Sequence, residues 1–192
     1  MKKLNFKYLI ISTLILFSQT IASAQTPFKL DKTASKITIL GTSSVHDWEI
    51  EITEFDCKAS IAIDENKAAS VSGVNVTCEV KDIEAENRIM TNKTYKALEG
   101  DDHPQISFKA TETAKATSGS ASGIKGKLTI AGQSKDVTLP FTLTAENEST
   151  VKVSGKIPVK MSDFKIDPPT AMMGALKTAD DIEIEYEIIL IK

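Results

Sequence analysis

Side chains that could do chemistry are few and scattered. The two histidines fall in His46-Asp47 and Asp101-Asp102-His103, and an imidazole beside carboxylates can act as a general acid–base or ligate a metal. Neither cluster belongs to a larger pattern. The 192 residues contain no G-x-S-x-G, no H-E-x-x-H and no glycine-rich phosphate loop. His46 stands at a strand entry and His103 just before Pro104, turn-like places where solvated polar residues are ordinary. The two cysteines, Cys57 and Cys78, lie at no ligand spacing from either histidine. No catalytic residue and no metal site are assigned, and the chain reads as a non-enzyme.

The cysteines have a second reading. They lie on two alternating segments, FDCKASIAID and VNVTCEV, separated by the polar stretch 65–70. If that stretch turns, Ile61 faces Val74, Ala59 faces Val76 and Cys57 faces Cys78. A cross-strand disulfide and two buried free thiols both fit, since register alone does not supply bridging geometry.

The N-terminus bears on that choice. Met1–Ala24 has a basic start, the apolar run LIISTLILF and the ending Ala22-Ser23-Ala24. This is the pattern of a secretory signal peptide cleaved before Gln25, and the run is short for a membrane span. No cysteine stands at the cleavage position, which argues against a lipoprotein anchor. Cleavage would leave 168 residues in a compartment that permits disulfides, periplasmic or extracellular. It would also move the net charge from −3 to −6, because Lys2, Lys3 and Lys7 go with the leader. An acidic, dispersed surface argues against nucleic acid or an anionic membrane as partner, and no stable membrane insertion is expected after cleavage.

What must position any site is a set of alternating strands. In IKGKLTIAGQSKDVTLPFTL, apolar residues recur at every second place on both sides of Ala131-Gly132-Gln133-Ser134, the signal of a half-buried β-hairpin. Symmetric pairing sets Ile130 against Val137, Leu128 against Leu139 and Gly126 against Phe141. Upstream, Gln25–Ser35 leads in, with Pro27 discouraging regular structure. Lys36–Leu40 is a strand broken by Gly41-Thr42-Ser43-Ser44. The apolar phase then shifts near Thr53-Glu54, which predicts a bend in one long strand over 48–63. Strands follow at Val71–Val80, Pro104–Thr111, Val151–Val159 and Asp181–Lys192, with a loop over Ala114–Gly123. A short helix is expected over Asn87–Leu98, ended by Gly100. Glu183, Glu185 and Glu187 belong to the wet face of the last strand.

About eight strands and one helical insertion leave a curled antiparallel barrel or a two-sheet sandwich. Pro140 and Pro158 each remove a ladder donor, so a barrel would close imperfectly near them.

Three passages carry a family resemblance. NRIMTNKTYKALEGDDHPQISFKAT is similar to a signature in which a polar helix leads through an acidic turn to P-x-I-x-F. GKLTIAGQSKDVTLPFTL resembles a G-x-L-T-I-x-G-x-(S/T)-K-x-V-x-L segment. GKIPVKMSDFKID followed by ADDIEIEYEI is similar to a closing pair of elements. Together they resemble the YceI-like, polyisoprenoid-binding β-barrel proteins of bacterial periplasms, over nearly all of Thr26–Lys192. Two departures stand out: Arg88-Ile89 replaces an Arg-Asp pair, and Met161-Ser162-Asp163-Phe164 lacks an arginine.

The resemblance implies an all-β, extended antiparallel eight-stranded barrel, lipocalin-like in outline, with one short helical insertion. It also implies a long-chain lipid in the interior, such as a polyisoprenoid or isoprenoid quinone, no other cofactor, and homodimerisation by analogy alone. The inward-facing set is Trp48, Ile50, Ile61, Val76, Phe108, Leu128, Phe141, Ile157, Ile184 and Tyr186, with small Ala59, Gly126 and Gly155 among them. Small residues among large ones suit a channel and also suit an interdigitated core. Trp48, Tyr186 and the pair Met172-Met173 are candidates for the mouth, since aromatics and methionines adapt to a flexible chain. The expected role is non-catalytic sequestration or transport of lipid. The rival is a solid barrel whose outer face binds a protein.

Overall fold

The structure, a computed structural model, describes residues 26–64 and 68–192; the expected leader lies outside them. The strands are β1 (Thr26–Leu30), β2 (Lys36–Ser43), β3 (Asp47–Ile52), β4 (Asp56–Ile63), β5 (Ala68–Glu79), β6 (Ile83–Ala85) and β7 (Gln105–Ala110). They continue as β8 (Ala114–Thr117), β9 (Ala121–Ile130), β10 (Gln133–Ala145), β11 (Thr150–Lys160), β12 (Thr170–Ala171) and β13 (Leu176–Ile191), and the helix α1 is Arg88–Ala97.

Eight of these strands form a closed antiparallel barrel in the order β1-β4-β5-β7-β9-β10-β11-β13, shut by the pairs Lys29↔Ile191 and Leu30↔Leu190. Strand β13 is 16 residues long and outruns β1. Its N-terminal half pairs with β2, which pairs with β3, which pairs with β6. The bend expected near Thr53-Glu54 is the break between β3 and β4. The barrel therefore has two levels. The level holding β1 and β4 is a complete ring. The other ends at β6, where Thr91 of α1 accepts from the Ala85 N–H at 3.0 Å.

Local chemistry explains several departures from expectation. Residues 26–30 form a strand despite Pro27, because they insert between β4 and β13. Gly41 does not end β2, since the Trp48 ring lies over its Cα, where a Cβ would collide. The stretch expected as a loop over 114–123 contains β8, paired with β5, and the start of β9. In the central hairpin, Ala131 and Gly132 take φ of 45° and 69°, a two-residue turn whose twist matches the strands. That tight turn pairs Ile130 with Gln133 and Gly126 with Val137. The register thus differs by four residues from the symmetric expectation, an even shift that leaves every side chain on its face. Phe108, not Phe141, covers Gly126.

Cys57 faces Val76, not Cys78, and both cysteines are free and buried. A bulge at Gly73 (φ 62°) inserts a residue into β5 between Lys58↔Asn75 and Ser60↔Ser72. Helix α1 starts at Asn87, whose side chain accepts from the Met90 N–H at 3.0 Å. It ends with Glu99, not Gly100, in the left-handed region (φ 53°). The N–H groups of Gly100 and Glu99 reach back to Tyr95 and Lys96, a Schellman closure.

The barrel does open near Pro140 and Pro158. The β10–β11 ladder covers only Thr142–Ala145 against Val151–Ser154, and the missing prolyl N–H groups leave the rest unpaired. Pro158 stays within the β11–β13 ladder, opposite Glu183. On the wet face, Glu183, Glu185 and Glu187 pair with Lys156 and Lys152.

Candidate functional site

The barrel holds two neighbouring cavities that share part of their wall. The deep chamber, about 150 Å³, lies within the complete ring. The mouth chamber, about 380 Å³, lies under α1, within the roughly 300–1,000 Å³ range of small-molecule pockets. Ile52, Ile106, Leu128 and Ile184 line both, so one continuous apolar wall joins them. At its far end the deep chamber is floored by Leu143 and Leu190, only 0% and 2% exposed, with Val151 (1%) beside them.

Glycines in the wall keep the centre open. Trp48 lies over Gly41, Phe108 over Gly126 and Tyr186 over Gly155, each ring occupying the place of a missing side chain. A ring laid flat on its own sheet fills the wall and not the lumen. Trp48 is fixed further by its Nε1–H, which donates to the Thr42 carbonyl at 3.1 Å. The Tyr186 hydroxyl donates to the carbonyl of Pro140, at the unpaired stretch of β10. Burial pushes the Tyr186 phenol up, so it remains a neutral donor.

The two chambers differ in chemistry. Among the residues lining the deep one, only Ser107, Tyr186, Cys57 and Cys78 carry a polar side-chain atom. Burial, reinforced by nearby carboxylates (Asp56 for one, Asp82 and Glu79 for the other), pushes both thiols up to about 12. They are therefore inert, apolar wall. The mouth chamber adds Ser43, His46, Asn87, Lys93, Thr94 and Lys177 to an apolar base, and no carboxylate lines it.

Of the residues read from the sequence as inward-facing, Ile61, Val76, Phe108, Phe141, Ile157 and Tyr186 line the deep chamber. Trp48 and Ile50 line the mouth chamber, and Leu128 and Ile184 line both. Tyr186 was expected at the mouth; the Gly155↔Tyr186 pairing draws it inside instead. Met173 lines neither chamber and is fully exposed at the tip of the β12–β13 hairpin. The side chain of Met172 lies outside the described residues. His46 lines the mouth chamber, whereas His103 packs on Gly132 of the central hairpin turn. No group of three potential metal ligands occurs among the described residues.

The roof of the mouth was missed. Ile89, Met90, Lys93, Thr94, Ala97 and Leu98 of α1 all line it. Their spacing of i, i+1, i+4, i+5, i+8 and i+9 is the available signal: one helical face, turned to the lumen. Tyr95 points away from that face, packing on Gly100 and donating to Asp101 at 3.1 Å.

No curated protein matches the chain by sequence. Among solved structures, BcnA of Burkholderia cenocepacia superposes with a TM-score of 0.66 at 23% identity, over 83% of this chain and 98% of that one. A polyisoprenoid binding domain from Saccharophagus degradans, implicated in plant cell wall breakdown, gives 0.66 at 9% identity, over 85% and 97%. The Campylobacter jejuni YCEI protein gives 0.60 at 22%, over 74% and 84%. At these identities the likeness is one of fold. A family model described as YceI-like domain matches residues 28–190, and the chain belongs to that family.

Proposed function

We propose that this protein binds a long-chain lipid, its tail lying along the two chambers and its head at the mouth. The carrying observation is the apolar void within the barrel, whose deep part is lined almost wholly by hydrocarbon side chains. A cavity of about 150 Å³ left unfilled in a protein core costs about 3–4 kcal/mol. Apolar cavities of this size stay dry and accept apolar guests. A hydrocarbon chain restores the lost contacts and adds about 0.8 kcal/mol per buried CH₂. Tight binding therefore needs no polar anchor along the tail.

A polyisoprenoid is the tail class the family suggests. The Saccharophagus degradans domain of like fold is described as polyisoprenoid binding, and shape and length would set selectivity. The reading is of a carrier or reservoir without catalysis, acting in the periplasm after leader cleavage. The inert thiols and the carboxylate-free lining support it. Among the described residues no helix is long and apolar enough to cross a membrane.

Solvent extraction of the purified protein followed by mass spectrometry tests the reading. A long-chain lipid at close to one per chain is the expected result. Repeated lipid-free preparations that also fail to take up added polyprenol would overturn it, and would favour the solid-module alternative.

A further inference from the structure

Three large apolar side chains stand exposed at the mouth end. Val45 is 61% exposed, Ile89 73% and Met173 108%. They come from unrelated elements: the turn after β2, the first turn of α1, and the tip of the hairpin made by β12 and β13. Hydrogen bonds tie these elements together. The Ser44 N–H donates to the Lys177 carbonyl at 2.9 Å, and the Lys177 N–H to the Ser44 hydroxyl at 3.1 Å. Lys93 Nζ donates to the Thr170 carbonyl at 2.8 Å. The three apolar tips thus surround one opening, and Val45 and Ile89 also line the chamber below it.

The charge around this opening is opposite to that of the whole. The chain carries a net −3, yet the charged or chargeable side chains lining the mouth chamber are Lys93, Lys177 and His46. Arg88 is exposed beside Ile89. Among the described residues, none of Arg88, Lys93 or Lys177 forms an ion pair, although Lys32, Lys36, Lys125, Lys127, Lys152 and others elsewhere do. Asp47, Glu86, Asp163 and Asp167 are carboxylates close in sequence to lining residues, and none of the four lines the chamber.

We propose that the mouth docks on an anionic lipid bilayer, with Val45, Ile89 and Met173 dipping into the interface and Arg88, Lys93 and Lys177 lying among the headgroups. Apolar tips ringed by cations are the composition of an interfacial contact, and each such cation favours an anionic surface. A shallow, reversible contact seats the opening against the bilayer, so that a lipid tail passes from membrane to chamber without crossing water. This locally reverses the expectation drawn from net charge alone. Its purpose rests on the lipid-binding reading, but docking is measured independently of carriage.

Sedimentation of residues 25–192, which hold all the described strands, with sucrose-loaded vesicles is the test. Binding to phosphatidylglycerol–phosphatidylcholine vesicles, weakened by salt and much lower on phosphatidylcholine alone, is expected. Val45→Ser, Ile89→Ser and Met173→Ser combined should lower partitioning about tenfold or more with the circular dichroism unchanged, because all three are exposed. Lys93→Glu with Lys177→Glu should do the same through charge. Equal sedimentation of wild type and both variants would overturn the proposal. So would a wild-type dimer that the apolar triple variant dissociates, since the tips would then belong to self-association. Lipid recovered by extraction from a protein that ignores vesicles would refute docking and leave carriage standing.

Discussion

The deep chamber is walled by alternate residues of regular strands, whereas the mouth chamber borrows its wall from a turn, a helix and a short hairpin. The first is walled by ladders except where β10 and β11 part near Pro140, and it is almost wholly apolar. The second mixes cations, amides and hydroxyls into its lining and opens where β6 ends. Ring closure and strict alternation make a rigid greasy slot, suited to holding a tail of any chemistry that fits. Irregular segments at an open ladder end bring polar groups into the lining instead. On the lipid-binding reading, the slot would grip the tail and the mouth would meet the head.

The largest effect should come where the two parts meet. Leu128→Lys places an unpaired charge at the junction of both chambers, where the native side chain is 6% exposed. A loss on the order of 3–5 kcal/mol in urea unfolding, with lipid uptake abolished, is expected. The opposite exchange at the mouth, Lys177→Leu, should change stability by less than about 0.5 kcal/mol. Comparable losses for the two would dissolve the distinction. Gly41→Val comes next. It forces the Trp48 ring off the wall and into the mouth, at a cost of about 1–3 kcal/mol, and should shift the emission of the single tryptophan while leaving the deep chamber intact.

Smaller still is Asn87→Ala, which removes the cap of α1 at about 1 kcal/mol. It should speed lipid release in stopped-flow measurements more than it lowers the global unfolding midpoint. A release rate unchanged from wild type would mean that α1 does not act as the movable roof. The subtlest contrast concerns the thiols. Each ionises near 9.0 when unfolded and near 12 when folded, so the unfolded chain gives up protons first as pH rises. Their stabilising contribution is whole below pH 9 and is lost between pH 9 and about 12. Melting temperature should fall over that window, and fall less in Cys57→Ala with Cys78→Ala. Below it, native thiols should resist alkylation until the chain unfolds.

The same division decides what could be read from the residues alone. Burial on one face imposes a period of two, so Ile61, Val76, Leu128 and Ile184 could be assigned to the lumen before their partners were known. Faces survived even where register did not. The hairpin slipped by four because Ala131 tolerates a positive φ that its side chain does not advertise. The cysteines missed each other because the β4–β5 pairing starts at Ile63↔Ala69, three residues off the symmetric expectation, and the bulge at Gly73 gives back only one. Neither a turn's length nor a bulge is encoded by hydrophobic pattern. The mouth was harder for another reason. Its wall is assembled by hydrogen bonds between distant segments, such as Lys93 to Thr170 and Ser44 to Lys177, and no local spacing announces them. Tyr186 was misplaced because the Gly155 opposite it, not its own neighbours, decides where the ring lies.

The sole tryptophan offers the most direct measurement of whether a tail occupies this lumen, since Trp48 lines the mouth chamber through which a tail must pass. Titrating the protein with a long-chain lipid brominated along its tail should quench Trp48 fluorescence and saturate at one lipid per chain, with Leu128→Lys showing no saturable quench. A wild-type emission that stays unchanged through stoichiometric excess would contradict a lipid-filled barrel.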